Sequence, residues 1–234
     1  MTKLQKSLQC ATLVALALAF ASGAALAAPP PCNVPNNGTG TVTLPPAGCE
    51  YLSPSQVHMI INGLPPGTTI ILAPIHRDFI CRQGASAVLP PCNTPGGPLG
   101  GETENFNSTA VFQVSGTGAL AGWNRVISVP IAVQIASGPR TLGAKVQTFK
   151  NDMQSIQGGI TGDADFASLT VVGGTSNGLS SPGQTTLTLQ SNGTFNVTSS
   201  FTVGYRISFV GASGGRLAGL SGTTTGTVNM QAFQ

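Results

Sequence analysis

From Phe201 to Phe209 the odd positions (Phe201, Val203, Tyr205, Ile207, Phe209) are large and apolar, and the even ones (Thr202, Gly204, Arg206, Ser208) are small or polar. A period of two is the signature of a strand with one face buried. Ile127, Val129, Ile131, Val133 and Ile135 repeat it, with Pro130 on the opposite face, which predicts an edge or a bulge there because proline cannot donate to a ladder. Shorter runs predict strands at 57–61, 68–72, 109–114, 169–172, 185–189 and 223–230, all rich in Thr and β-branched residues. Turn residues punctuate them, and Asn192-Gly193 between Leu187/Leu189 and Phe195/Val197 predicts a tight hairpin. Helical periodicity is almost absent: residues 148–156 offer at most one turn before Gly158-Gly159.

The strands fall into two similar halves. Glu50-Tyr51-Leu52-Ser53, Val57 and Asn62-Gly63-Leu64 recur as Asp165-Phe166-Ala167-Ser168, Val172 and Asn177-Gly178-Leu179 at an offset of 115. Further on, Phe106-Asn107-Ser108-Thr109 answers Phe195-Asn196-Val197-Thr198, and Leu120 answers Leu217. A repeated unit names an architecture before any function. The expectation is an antiparallel β-sandwich of two duplicated halves, at 48–138 and 163–234, joined by a connector at 139–162. Phe112, Val114, Val129, Ile131, Val133, Leu187, Phe201, Val203, Ile207 and Phe209 are expected in its core. The first half carries an insertion at about 80–105, and a loop peculiar to one half of a symmetric scaffold is where function is expected.

Composition changes the picture in one respect: export. Residues 1–27 read as a signal peptide, with Lys3 and Lys6, an apolar run from Leu13 to Phe20 and Ala25-Leu26-Ala27 before the cleavage point. A Pro/Gly-rich segment follows at 28–47. Removing Lys3 and Lys6 leaves eight basic residues against seven acidic ones, and charged residues are only 7% of the chain. Such a surface offers nucleic acid or anionic lipid little attraction, and no membrane span is expected in the mature chain. Cys32, Cys49, Cys81 and Cys92 remain, an even number suited to two disulfides in an oxidising compartment. Of the three connectivities, Cys32–Cys49 and Cys81–Cys92 close local Pro/Gly-rich loops. No Cys-x-x-Cys pair points to zinc, and no metal or cofactor is expected.

Candidate chemistry is sparse. His76 and Asp78, two apart and so on one face of a strand, form a possible base or ligand pair, with His58, Glu102 and Glu104 as further members. Asp163 and Asp165 form an Asp-x-Asp turn suited to capping or to calcium. Trp123, Asn124 and Arg125 suit a ligand-binding patch if the indole is exposed to stack on a sugar, and core packing if it is not. Gly-x-Ser-x-Gly, His-Glu-x-x-His and phosphate-cradling loops are absent.

The stretches Asn62-Gly63-Leu64-Pro65-Pro66-Gly67-Thr68-Thr69 and Leu217-Ala218-Gly219-Leu220-Ser221-Gly222-Thr223-Thr224-Thr225 resemble those of a group of exported bacterial β-rich proteins. That resemblance implies export and carries no activity across. The expectation is therefore an exported, non-enzymatic structural or ligand-interaction protein of the cell surface or extracellular space, with a glycan or a surface protein as partner. The alternative is a secreted hydrolase or metal-dependent enzyme built on His76 and Asp78.

Overall fold

The computed structural model describes residues 31–46, 48–53, 57–81 and 92–233, with the side chain of Cys81 left aside. The expected signal peptide at 1–27 and the middle of the insertion, 82–91, lie outside the described residues. Twelve strands follow one another: β1 (Cys32–Pro35), β2 (Glu50–Leu52), β3 (His58–Ile60), β4 (Ile70–Cys81), β5 (Asn93–Pro95), β6 (Glu102–Gly116), β7 (Asn124–Ser137), β8 (Val146–Thr161), β9 (Phe166–Gly173), β10 (Pro182–Leu189), β11 (Thr194–Gly211) and β12 (Ser221–Phe233). All pairings are antiparallel, as the alternation predicts, and only two short 3₁₀ turns interrupt them among the described residues.

The walls that a sandwich divides between two sheets are here one hydrogen-bonded ring. β4 pairs with β2 and β3 on one side and with β6 on the other, and the ladder runs on through β7, β8, β11 and β12 back to β2. Two places in the ring are shared end to end. β9 and β10 both lie between β8 and β11, while β2 and β3 fill the gap between β12 and β4. β3 reaches β12 through side chains rather than a ladder. The Ile61 and Asn62 N–H groups donate to Thr224 Oγ1 at 3.0 and 3.1 Å, and the Met59 N–H donates to the Tyr205 hydroxyl at 3.1 Å. Gly226, opposite Tyr205, makes room for that phenol, since a Cβ there would stand 2.5 Å from its oxygen.

The segments matched by the internal repeat take unlike places. β9 lies beside β11, whereas its sequence counterparts β2 and β3 lie beside β4 and not beside β6, the counterpart of β11. The connector is also more than a link, because 146–161 is the strand β8. Its inward positions include Gln147 and Asn151 beside Phe149 and Met153, and these polar insertions hide the period of two. Gly158 sits inside the strand because β7 passes so close that a Cβ would meet the Pro130 carbonyl at 2.1 Å. Pro130 itself lies one residue before the β8 ladder begins at Ile131, where β7 has only β6 beside it. The hairpin at Asn192-Gly193 forms as predicted, with Gly193 at φ +84° and Asn192 Oδ1 accepting from the Thr194 N–H.

All ten residues expected in the core are buried. A second, smaller core fills one end of the ring: Cys32, Val34, Val42, Leu44 and Cys49 pack on Phe149, Leu187, Phe195 and Val197. The N-terminal segment is thus an end-cap, with β1 paired to β11 and Cys32 bonded to Cys49 across a separation of 17 residues. Closing a loop of that size removes about 3 kcal/mol of unfolded-state freedom. Replacing Cys32 and Cys49 together with serine is expected to lower unfolding stability by about that amount in urea titrations. An unchanged midpoint would show the cap to be held by packing alone. Cys92 is also disulfide-bonded; the expected link to Cys81 involves a side chain outside the described residues.

Candidate functional site

Alternation sends one face of every long strand into the ring, and at its middle these side chains leave a cavity of about 40 Å³, room for a few water-sized groups. Most of its wall is apolar, from Val133, Ile135 and Met153 round to Val203, Val228 and Met230. The exceptions are Tyr51, His58, His76, Ser108 and Tyr205. His58 is 3% exposed and Ser108 5%, and neither the His58 Nδ1 nor the Ser108 Oγ has a hydrogen-bond partner. Leaving such a group unmet in a fold costs about 1–3 kcal/mol. Two on one cavity wall are a cost that core packing does not explain.

The His58 ring is wedged edge-on against Tyr205, with ring centres 4.2 Å apart, and against Phe112 at 5.8 Å. Burial holds its imidazole neutral, down to about 3, and the nearby His76 pushes the same way. His76 is likewise lowered by burial, to about 4. Tyr51, the cross-strand neighbour of His76, is raised above the ordinary phenol range by burial, against the pull of a hydrogen bond with Ser199. Tyr51, His76 and Phe79 are half-buried, so they mark where the lining comes closest to solvent. Their rings form a chain: Tyr51 to Phe79 at 5.8 Å, Phe79 to Phe106 at 5.4 Å and Tyr51 to Phe201 at 5.9 Å.

The pairing of His76 with Asp78 does not survive folding. Asp78 adopts φ +58° at an irregularity in the β4–β6 ladder between Arg77 and Ile80, which adds a residue and shifts the alternation. His76 therefore faces the cavity, Arg77 and Asp78 both face solvent as an ion pair of 3.5 Å, and Phe79 turns inward in place of Asp78. His58 and His76 do share one cavity, although no three side chains of His, Cys, Asp or Glu gather at one point among the described residues.

Glu104 lines a smaller neighbouring cavity of about 20 Å³ with Tyr51, Asn151 and Thr185, under Leu44-Pro45-Pro46 of the cap. Burial raises its carboxyl to about 8; a Ser137 hydrogen bond of 2.5 Å opposes this, Glu102 adds to it and Arg140 opposes it. Glu102 pairs instead with Arg140, which also reaches Thr41 and the Val42 carbonyl. Glu102 and Glu104 thus belong to the cap end and stand apart from His76.

Trp123 is 4% exposed; its ring packs by Phe166 and its Nε1 donates to Asp165. An indole so placed has no face for a sugar, and core packing is its role. Arg125 donates to Asp163 at 2.9 and 2.5 Å and to Asp165 at 2.7 Å, while the exposed Asn124 side chain donates to the Gly122 carbonyl. Asp163 caps the turn through the Asp165 and Phe166 N–H groups, so both carboxylates are engaged by protein donors.

Sequence reasoning missed Ser108 and Tyr205 as cavity residues. Tyr205 sat in the strand pattern as an ordinary inward position, and Ser108 lay just before the strand predicted at 109–114, which in the fold begins at Glu102. No family model matches the chain, and no match was found among curated proteins or solved structures.

Proposed function

We propose that this chain is an exported, non-enzymatic ligand-binding protein of the extracellular space or cell surface, which houses a small molecule inside its closed β ring. The observation that carries the reading is the pair of unmet polar atoms, His58 Nδ1 and Ser108 Oγ, on the wall of an otherwise apolar cavity. Ligand sites have that make-up: an apolar wall with a few placed polar groups. The Cys32–Cys49 bond suits an oxidising compartment. Among the described residues no helix is long and apolar enough to cross a membrane. The outward positions of β11 and β12 carry Thr, Ser, Asn, Gln and Arg rather than a lipid-facing apolar band. Against the hydrolase reading stands the loss of Asp78 to solvent, which leaves His76 without the carboxylate that was to orient it.

Native mass spectrometry of the protein recovered from secreting cells tests both parts. The expected species begins at Ala28 and carries a bound small molecule. An intact N-terminus would end the export reading. A bare chain whose inward methyl groups respond to no small neutral compound would end the binding one.

A further inference from the structure

The polar atoms in the cavity also limit what it can hold. Among the described residues no lysine or arginine lines it, and no carboxylate does either. The nearest arginines along the lining strands, Arg77 and Arg206, are exposed on the outer face. A charged group brought inside would lose its water and meet no counter-charge, a cost far above that of burying a neutral polar group. The two imidazoles do not supply one, since burial keeps both neutral at pH 7. The orphaned atoms instead ask for a group able to donate as well as accept: a hydroxyl serves the Ser108 Oγ in either direction and His58 Nδ1 in either tautomer. With about 40 Å³ free, the apolar body has to be short and slender, or the half-buried Tyr51 and Phe79 have to turn aside.

Resting on the binding function above, we propose that the interior site takes an uncharged short-chain alcohol, its hydroxyl at Ser108 or at His58 and its alkyl body among Val133, Val203 and Val228, in preference to the carboxylate of the same length. The test is a matched pair of probes, 1-butanol and butanoate, titrated at pH 7 into methyl-labelled protein. Val133, Val203 and Val228 report the interior, and the exposed Val146 and Val210 report the outside. Butanol is expected to shift the inward methyls saturably, with a Kd at least tenfold below that of butanoate. Whichever of Ser108→Ala and His58→Phe removes the hydroxyl's partner is expected to weaken butanol about threefold to tenfold, as loss of one hydrogen bond does. Should His58→Phe fail to fold, His58→Leu takes its place. Butanoate binding as tightly as butanol, or both variants binding butanol unchanged, overturns the alcohol assignment and leaves the binding site standing. Inward methyls that move with neither probe, while the native protein still carries a small molecule, overturn the assignment alone. The same silence in a bare protein removes the binding site with it.

Discussion

Asp165→Ala is expected to destabilise the fold by roughly 3 kcal/mol, the cost of leaving the Trp123 and Arg216 N–H groups without an acceptor and Arg125 with one carboxylate instead of two. Asp165 Oδ2 accepts from Arg125 at 2.7 Å and from the Trp123 indole at 3.2 Å, and its Oδ1 accepts from the Arg216 N–H at 2.9 Å. One carboxylate thus ties the start of β7, the turn before β9 and the loop between β11 and β12. Burial pushes its carboxyl upward, but the Arg216 N–H, Arg125 and Trp123 together hold it below the usual range. Removal strands the Trp123 N–H at 4% exposure, while Arg125 keeps its two bonds to Asp163. Asp163→Asn should cost less, because an amide oxygen still accepts from the Asp165 and Phe166 N–H groups. Urea midpoints for the two variants decide the matter: equal losses would mean that Arg125 is held mainly by Asp163 and that the Trp123 bond contributes little.

Stability is expected to peak near pH 6.5 and to fall on both sides for separate reasons. On the acid side the cause is histidine. The folded value of His58 is lowered to about 3 from 6.5, so above pH 6.5 it is neutral in both states and contributes nothing. Below 6.5 the unfolded chain takes up a proton that the folded one refuses, and stability falls by about 1.4 kcal/mol per pH unit. His76 acts in the same direction, more weakly because it is half-buried. Glu104 has the opposite sign. Its folded value is raised to about 8 from 4.5, so its contribution is whole below 4.5 and is lost as pH rises toward 8. Between 4.5 and 6.5 the two histidines outweigh the one glutamate, and between 6.5 and 8 the glutamate acts alone. Denaturation midpoints at pH 4.5, 6.5 and 8.5 test this. His58→Phe should flatten the acid limb, and Glu104→Gln, which mimics the protonated acid, should raise stability at pH 8.5 by at least about 2 kcal/mol. A Glu104→Gln profile that still falls above pH 6.5 would show that Glu104 ionises freely in the fold.

What was legible in the chain followed from strict alternation. β11 and β7 carry unbroken runs of large apolar residues at every second position, so their inward faces, and with them seven of the ten core residues, could be read without a partner strand. The hairpin at Asn192-Gly193 was legible because a tight turn is a local matter. β8 was not, since Gln147 and Asn151 point inward, where Thr41 Oγ1 donates to Gln147 and the Asn151 Nδ2 donates to Ser137. A polar inward residue looks like a break in the pattern until its distant partner is known.

The same division runs through the site. Local residue order was enough to place His58 on a strand, Cys32 and Cys49 in one small loop, and Asp163 in a capping turn, because each depends on neighbours a few positions away, whereas the run of β4 on to His76 was not read. Whether the strands made two sheets or a ring depended on the β4–β6 ladder and on the seam from β3 to β12, contacts between segments up to 163 residues apart. Asp78 was lost to the site by one added residue in β4, a bulge that depends on the strand opposite. Trp123 went to the core for a partner, Asp165, that lies 42 residues further on. Side-chain period is a property of a segment and survives in the sequence; the identity of what a buried polar atom faces is a property of the closed ring, and it was decided only when the ring closed.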